Sequence, residues 1–207
     1  MPDDEIVVLK GLQGVRKRSA LFLGDTTRPA LANKLLEEAL CIGLHALQTE
    51  DAGSLEVRFH EDQSVSVGDD STGLDVSPDS LGMRFPEQLM TQLFACAHDK
   101  SFETVHFCGV GIICANAYST WLQIEVFKDG VHWQQTYREG EAITSFAPVG
   151  ETAQHGNRLH FLPDPTIFAF PEFDRLLFAT WFSSLEIPAT CVEINDDLTR
   201  MTMTRIA

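Results

Sequence analysis

The sequence has no Cys-x-x-Cys pair, and its five cysteines (Cys41, Cys96, Cys108, Cys114, Cys191) are an odd number. A disulfide framework therefore does not suggest itself. No apolar run is long enough to cross a bilayer, and no apolar signal region follows Met1. A cytoplasmic chain with reduced thiols is the economical reading. Basic residues are scarce: 15 Lys and Arg stand against 30 Asp and Glu, a formal net charge of −15. That balance argues against direct binding to nucleic acid or to an anionic membrane, because phosphate contacts need clustered Lys and Arg. An acidic surface suits solubility, or a basic protein partner. Internal repeats, low-complexity tracts and linkers are also missing, so residues 1–207 read as one domain.

What is present is a hydrophobic fraction of 44%, enough for a sizeable core. Val65 and Val67 alternate with Ser64, Ser66 and Gly68, the period-two pattern of a half-buried strand. That strand runs into Asp69-Asp70-Ser71-Thr72-Gly73. A carboxylate where a strand leaves the core can accept a hydrogen bond from a ligand amino group, and a nearby glycine admits the ligand. On the residues alone an acidic strand-to-loop turn is the simpler reading, since Asp, Ser and Gly are ordinary turn formers.

Ile6 to Arg18 mixes helical apolar spacing (Leu9, Leu12, Val15) with the basic run Arg16-Lys17-Arg18, expected as a solvated helix end. Pro29 suits a helix start, and 30–48 has almost no breaker. Leu36, Leu40, Gly43 and Leu47 form one stripe of that helix; Glu38, Ile42 and His45 form another. Glu38 is placed to act as a general base near Asp69, or else is a surface residue beside Glu37. His45 is expected to be a partly buried polar residue.

Residues 55–60 and 63–67 form a predicted hairpin, 72–84 a loop, and 86–97 a second helix. Gly109 and Gly111 precede an apolar helix, a pattern that suits either phosphate binding or tight packing. Residues 121–128 and 131–137 alternate around Asp129-Gly130, a strong hairpin signal. Segments 141–146 and 157–162 extend an antiparallel sheet. A last helix over 172–185 is apolar nearly all round, which calls for a central position or a partner on the stretch Phe173 to Leu185. Residues 190–195 read as a closing strand.

Taken in order, these pieces resemble the ATP-binding domain of the DNA gyrase B and topoisomerase IV B subunits, of the GHKL class. The residues that carry the resemblance are Val8 to Arg18, Leu23-Gly24-Asp25-Thr26, Ser64 to Gly73, Cys108 to Gly111 with Asn116-Ala117, Glu125 to Gly130, Gly156 to Phe161 and Pro163 to Phe168. The resemblance implies a two-layer α/β sandwich, a mixed and largely antiparallel sheet with helices on one face. It also implies an ATP site at Asp69, Gly73, Lys100, Gly109, Val110, Gly111 and Asn157, with Glu38 at the general-base position.

The departures are as informative. Where the family carries a magnesium-binding Asn one turn after the Glu, this chain has Ile42, which offers no oxygen to a hard cation. Val105 and His106 replace two glycines of the phosphate loop, and 97–102 lacks the glycine pair before the lid lysine. Ser71 and Thr72 stand for Gly and Arg, and Asn157 for a Thr that assists the aspartate. The arm before the core looks shortened to Met1 to Glu5, and no transducer or DNA-cleavage region is expected.

Three expectations result. One is a degenerate, non-hydrolysing domain serving as a regulatory or protein-interaction module, without magnesium. The second is a weak ATP or ADP binder that keeps adenine recognition through Asp69 and Gly73. The third is a zinc site at Cys96, His98, His106 and Cys108, whose alternate spacing points the two members of each pair the same way.

Overall fold

The structure is a computed structural model that describes residues 9–93, 111–185, 191–197 and 201–205. Helices α1 (Gln13–Lys17), α2 (Ser19–Leu23), α3 (Asn33–Ala39) and α4 (Cys41–Gln48) come first. A hairpin of β1 (Ser54–Phe59) and β2 (Val65–Asp69) follows, then α5 (Phe85–Thr91) and α6 (Ile113–Ala117). The second half contributes β3 (Ser119–Lys128), β4 (Val131–Arg138), β5 (Glu141–Ala142), β6 (Ala147–Glu151) and β7 (Gly156–Pro163). Helix α7 (Arg175–Ser183), β8 (Cys191–Asp196) and β9 (Met201–Arg205) close the described chain.

The strands form a mixed sheet in the order β5-β4-β3-β7-β2-β1-β8-β9, with β6 also on β4. Only β1 and β8 pair in parallel among the registers described. Period-two alternation sends Leu55, Val57, Val65, Val67, Ile124, Leu159 and Phe161 to one face, where Leu36, Leu40, Leu44 and Leu47 of the helices bury them. Glu56, Arg58, Arg158 and His160 alternate onto the other face and stay partly exposed. The predicted two-layer α/β architecture holds.

Several boundaries differ from the sequence expectation. The helix expected over 30–48 begins at Asn33, because Ala30 is left-handed (φ 62°), and it is interrupted at Leu40. The helix expected over 86–97 ends at Thr91. The strand expected over 141–146 is confined to Glu141–Ala142, since Thr144 instead bonds back to Gln135 and Thr136. The β3–β4 hairpin forms as predicted, turning on Asp129 and Gly130 at φ 53° and 77°.

Strands β6 and β9 have no counterpart in the sequence expectation, and β8 is not the closing strand, because β9 pairs with it. The last helix starts three residues late, where the Asp174 carboxylate caps the Leu177 amide. It is also not buried all round: Phe178 and Phe182 enter the core, while Leu176 is 80% exposed and Leu177 51%. No helix among the described residues is long and apolar enough to cross a membrane.

The basic run does not form a solvated end either. Lys17 and Arg18 are exposed, but Arg16 turns inward. Its guanidinium pairs with Asp164, just after β7, and donates to the Ala117 carbonyl at 2.7 Å. The Tyr118 hydroxyl donates to the Val15 carbonyl at 2.9 Å, so α1 is tied to the α6–β3 junction twice.

Candidate functional site

The site grows from the end of β2. Register with β1 puts Asp69 opposite Leu55, hence on the helix-covered face. Helix α4 comes close there: a Cβ on Gly43 would lie 2.3 Å from Leu55 Cδ1 and 3.5 Å from Asp69 Cβ. Asp69 is half-buried, and desolvation raises its pKa above the usual aspartate value although hydrogen bonds from Ser71 and Asn157 oppose the rise.

Those hydrogen bonds are dense. Asp69 Oδ1 accepts from the Ser71 amide (3.1 Å), the Ser71 hydroxyl (2.5 Å), the Asn157 amide (3.3 Å) and Asn157 Nδ2 (3.2 Å). Asp69 Oδ2 accepts only one long bond, from Asn157 Nδ2 at 3.3 Å. The Ser71 oxygen accepts from the Gly73 amide and Asn157 Nδ2. Asn157 Oδ1 accepts from the Leu74 amide at 2.9 Å. Within this set, spare acceptor capacity rests on Asp69 Oδ2 and on one lone pair of Asn157 Oδ1.

The two adjacent carboxylates part company. Asp70 points to the start of β1, accepting from the Gly53 and Ser54 amides at 2.8 and 2.7 Å. Burial would raise its pKa, but those bonds hold it below the usual value. Asp70 is thus the turn-forming carboxylate, and Asp69 the one kept inside. The sequence puts them side by side; strand alternation separates their tasks.

A cavity of about 190 Å3 opens beside this network, lined by Ile42, His45, Ala46, Thr49, Asp51, Ser71, Gly73, Leu74, Asp75, Phe85 and Asn157. Asp69 is not among its lining residues, although it is hydrogen-bonded to Ser71 and Asn157, which are; Asp69 itself lines a separate cavity of about 290 Å3 with Gly68, Asp70, Asn157 and Arg158. Gly73 sits left-handed (φ 81°) and packs under the β3–β4 turn, where a Cβ would come within 3.0 Å of the Phe127 carbonyl oxygen. Its neighbour Thr72 is held by Asp51, which accepts from the Thr72 amide and hydroxyl at 3.2 and 3.1 Å. Sequence reasoning missed the Asp51–Thr72 pair, along with Leu74, Asp75 and Phe85; no local pattern links 51 to 72.

Ile42 is buried in the cavity wall and presents only carbon there. Glu38, one turn earlier, is not a surface residue: it is 6% exposed, and its Oε2 accepts from the Gly111 amide at 3.1 Å. Burial, with the Glu38 charge next in weight, pushes the nearby Cys114 thiol up to about 12. His45 is half-buried at the cavity, as expected. Lys100, Gly109 and Val110 lie outside the described residues, as do the zinc candidates Cys96, His98, His106 and Cys108. No group of three His, Cys, Asp or Glu side chains able to hold a metal exists among the described residues.

Among the described residues the site offers hydrogen-bond acceptors rather than a set of metal ligands. Asp69 Oδ2 and Asn157 Oδ1 leave acceptors for an amino group. Against a magnesium ion stands an aliphatic wall at Ile42, with no oxygen donor there.

No family model matches the chain. Curated relatives do. Over 176 residues, 83% of this chain, it is 34% identical to the DNA gyrase B subunit of Thermotoga maritima, covering 27% of that protein. Over 173 residues, 81% of this chain, it is 33% identical to the DNA topoisomerase 4 B subunit of Bacillus subtilis, covering 26% of it. The type 2 topoisomerase B subunit of Aquifex aeolicus is 33% identical over 174 residues, 82% of this chain and 22% of that protein. The chain thus spans about a quarter of the length of the relatives it matches.

Proposed function

Since this chain belongs to the family of the gyrase B and topoisomerase IV B subunits, as a GHKL-type domain matching one portion of them, we propose that it retains that portion's base-binding pocket without its hydrolytic chemistry. In this reading it works in the cytoplasm as a regulatory or protein-interaction module. The observation that carries the reading is the pairing of a hydrogen-bonded network of half-buried Asp69 with buried Ser71 and Asn157 and the aliphatic Ile42 beside it. The network supports recognition of an amino group; the sec-butyl side chain of Ile42 supports loss of the metal that would neutralise a triphosphate.

Glu38 fits a vestigial role. Its carboxylate is engaged in holding the Gly111 amide ahead of α6, which supports a structural clamp rather than a base poised over water. Calorimetry with ATP, ADP and a non-hydrolysable analogue, with and without magnesium, tests the proposal together with a phosphate-release assay. Measurable binding with no turnover is the expected result. Micromolar binding that depends on magnesium, with turnover, would support instead the reading of a working nucleotide-binding ATPase.

Asp69→Asn separates pocket from fold. Asparagine keeps an oxygen for the four donors at Oδ1 but turns the spare acceptor into a donor. Ligand affinity is expected to fall at least about a hundredfold, in line with a site left with a mispaired buried polar group. The melting temperature should stay within a few degrees. If affinity is unchanged, Asp69 does not read the ligand.

The partner side of the proposal rests on α7, where Leu176 and Leu177 lie exposed, as does Phe170 ahead of the helix, on a chain with net charge −15. The charge favours a basic protein partner over nucleic acid, and the case for a second copy rests on the exposed apolar residues alone. Leu176→Glu is expected to abolish any dimer seen by analytical ultracentrifugation. A wild-type chain that sediments as a monomer at high concentration removes self-association from the proposal.

A further inference from the structure

The second cavity, of about 290 Å3, opens on the sheet face turned away from the helices. Strand register places it there. Glu56 lies opposite Gly68, and Gly68 opposite Arg158, so these three form one row across β1, β2 and β7. Each follows or precedes a buried residue (Leu55, Val67 and Leu159) that faces the helices, so the row itself faces the other way. We infer that this cavity binds a small zwitterion with an ammonium at one end and a carboxylate at the other, the class of free lysine and the ω-amino acids. The site lies across the sheet from the cavity at Ile42, and neither reading depends on the other.

Gly68 supplies the room. Its neighbours in the row, Glu56 and Arg158, stand two strand spacings apart, about 10 Å between backbones. A side chain at position 68 would stand between them, and glycine leaves that floor open to a ligand.

The anionic end of the cavity is on the β1 side. Glu56 Oε1 accepts from Asn195 Nδ2 at 2.9 Å and from Arg58 Nη2 at 3.1 Å, which fixes the carboxylate in place. Asp70, one residue past β2, is fixed in turn by the Gly53 and Ser54 amides. His155 adds an acceptor. Its Nδ1 lies 3.1 Å from the Ser71 carbonyl oxygen, which can only accept, so the neutral ring presents Nε2 with a free lone pair.

The cationic end is on β7. The Arg158 guanidinium lies over the Phe127 ring, 5.4 Å from its centroid, which holds the plane of the fork. Its ion pair with Glu125 is long, at 3.6 Å, and Glu125 is bound more closely by His132, at 2.8 Å. A guanidinium has five donors, so Arg158 can also take a ligand carboxylate. The ligand's ammonium then meets Glu56 and Asp70, its carboxylate meets Arg158, and its chain crosses Gly68. A ligand with one charge makes only half of these contacts.

The test is an amide-resolved NMR titration of the full chain with ε-aminocaproate, caproate and hexylamine. The zwitterion is expected to give saturable shifts at Gly68, Gln154 and His155, and to bind at least about tenfold more tightly than either single-charge analogue. Glu56→Gln keeps an oxygen for Asn195 and is expected to weaken the zwitterion about tenfold while leaving caproate unchanged. Gly68→Ala puts its Cβ at ordinary contact distance, 3.5 Å from the Asn157 carbonyl oxygen, so the fold should hold while zwitterion affinity falls. Nucleotide binding at the other cavity should not respond to Glu56→Gln, which keeps the two readings separable. No saturable shift from the zwitterion at millimolar concentration overturns the inference. So do equal affinity for either analogue, shifts confined to other residues, or unchanged affinity in both variants.

Discussion

Replacing Arg16 by alanine should destabilise the domain by about 3 kcal/mol or more at neutral pH, a size typical of breaking a buried ion pair by deleting one partner. Asp164 is the reason. Its side chain is 4% exposed and Arg16's 16%, so the carboxylate left behind cannot recover its hydration. Burial alone would raise the Asp164 pKa, yet hydrogen bonds from Arg16 and Thr166 and the Arg16 charge bring it below the usual value of 3.8. A lowered native pKa means that the unfolded chain binds the proton more readily, so the pair's contribution is complete above the unfolded value. It is lost as pH falls from about 3.8 through the lower native value.

Urea unfolding of wild type and Arg16→Ala at pH 7 and across that acid window checks both claims. The variant's deficit should shrink on acidification, because its stranded carboxylate can then take up a proton. A deficit under about 1 kcal/mol, or one that does not change with pH, would falsify the assignment. The consequence reaches the site through α6: α1 props the Ala117–Tyr118 junction, and the start of α6 follows the Gly111 that Glu38 holds.

The second large effect is Gly156→Ala. Gly156 opens β7 at φ 105°, and an added Cβ would lie 2.0 Å from the Asp69 carbonyl oxygen and 2.8 Å from its carbon. These are backbone atoms, so no side chain can swing away. Overpacking and a left-handed alanine together imply a loss of about 3–5 kcal/mol, or a fall of roughly 10 °C in melting temperature for a domain of this size. Because Asn157 is the next residue and bonds Asp69 through its amide and its Nδ2, ligand affinity should fall along with stability. Gly150→Ala is the control: nothing lies within 4 Å of its added Cβ, and a change within about 0.5 kcal/mol is expected there. If Gly156→Ala melts like wild type, β7 and β2 do not approach as described.

Local pattern is enough for the elements whose causes are local. The β3–β4 hairpin follows from alternation around Asp129-Gly130, and the β1–β2 hairpin from alternation around a polar turn. Collinear motifs are enough for the family and for the two-layer sheet. The shortness of β5 and the existence of β6 escape a local reading because they depend on Thr144 and on pairing with β4, not on their own residues. Strand β9 exists as an element through β8, with which it pairs.

Side-chain fates are less legible, since burial is a property of neighbours far along the chain. Arg16 meets Asp164 across 148 positions, and Glu38 meets Gly111 across 73. A basic run and a helical Glu pair look solvated until those neighbours arrive. Residue order alone is sufficient to place Asp69 at a strand end, to deny a metal an oxygen at Ile42 and to make the chain acidic. It takes the assembled fold to bond Asp69 to Ser71 and Asn157, to turn Asp70 toward the start of β1, and to bring Asp51 and Asp75 to one rim. The physical reason is that hydrogen bonding and desolvation act over a few ångströms of space, and the fold alone sets which distant residues come that close.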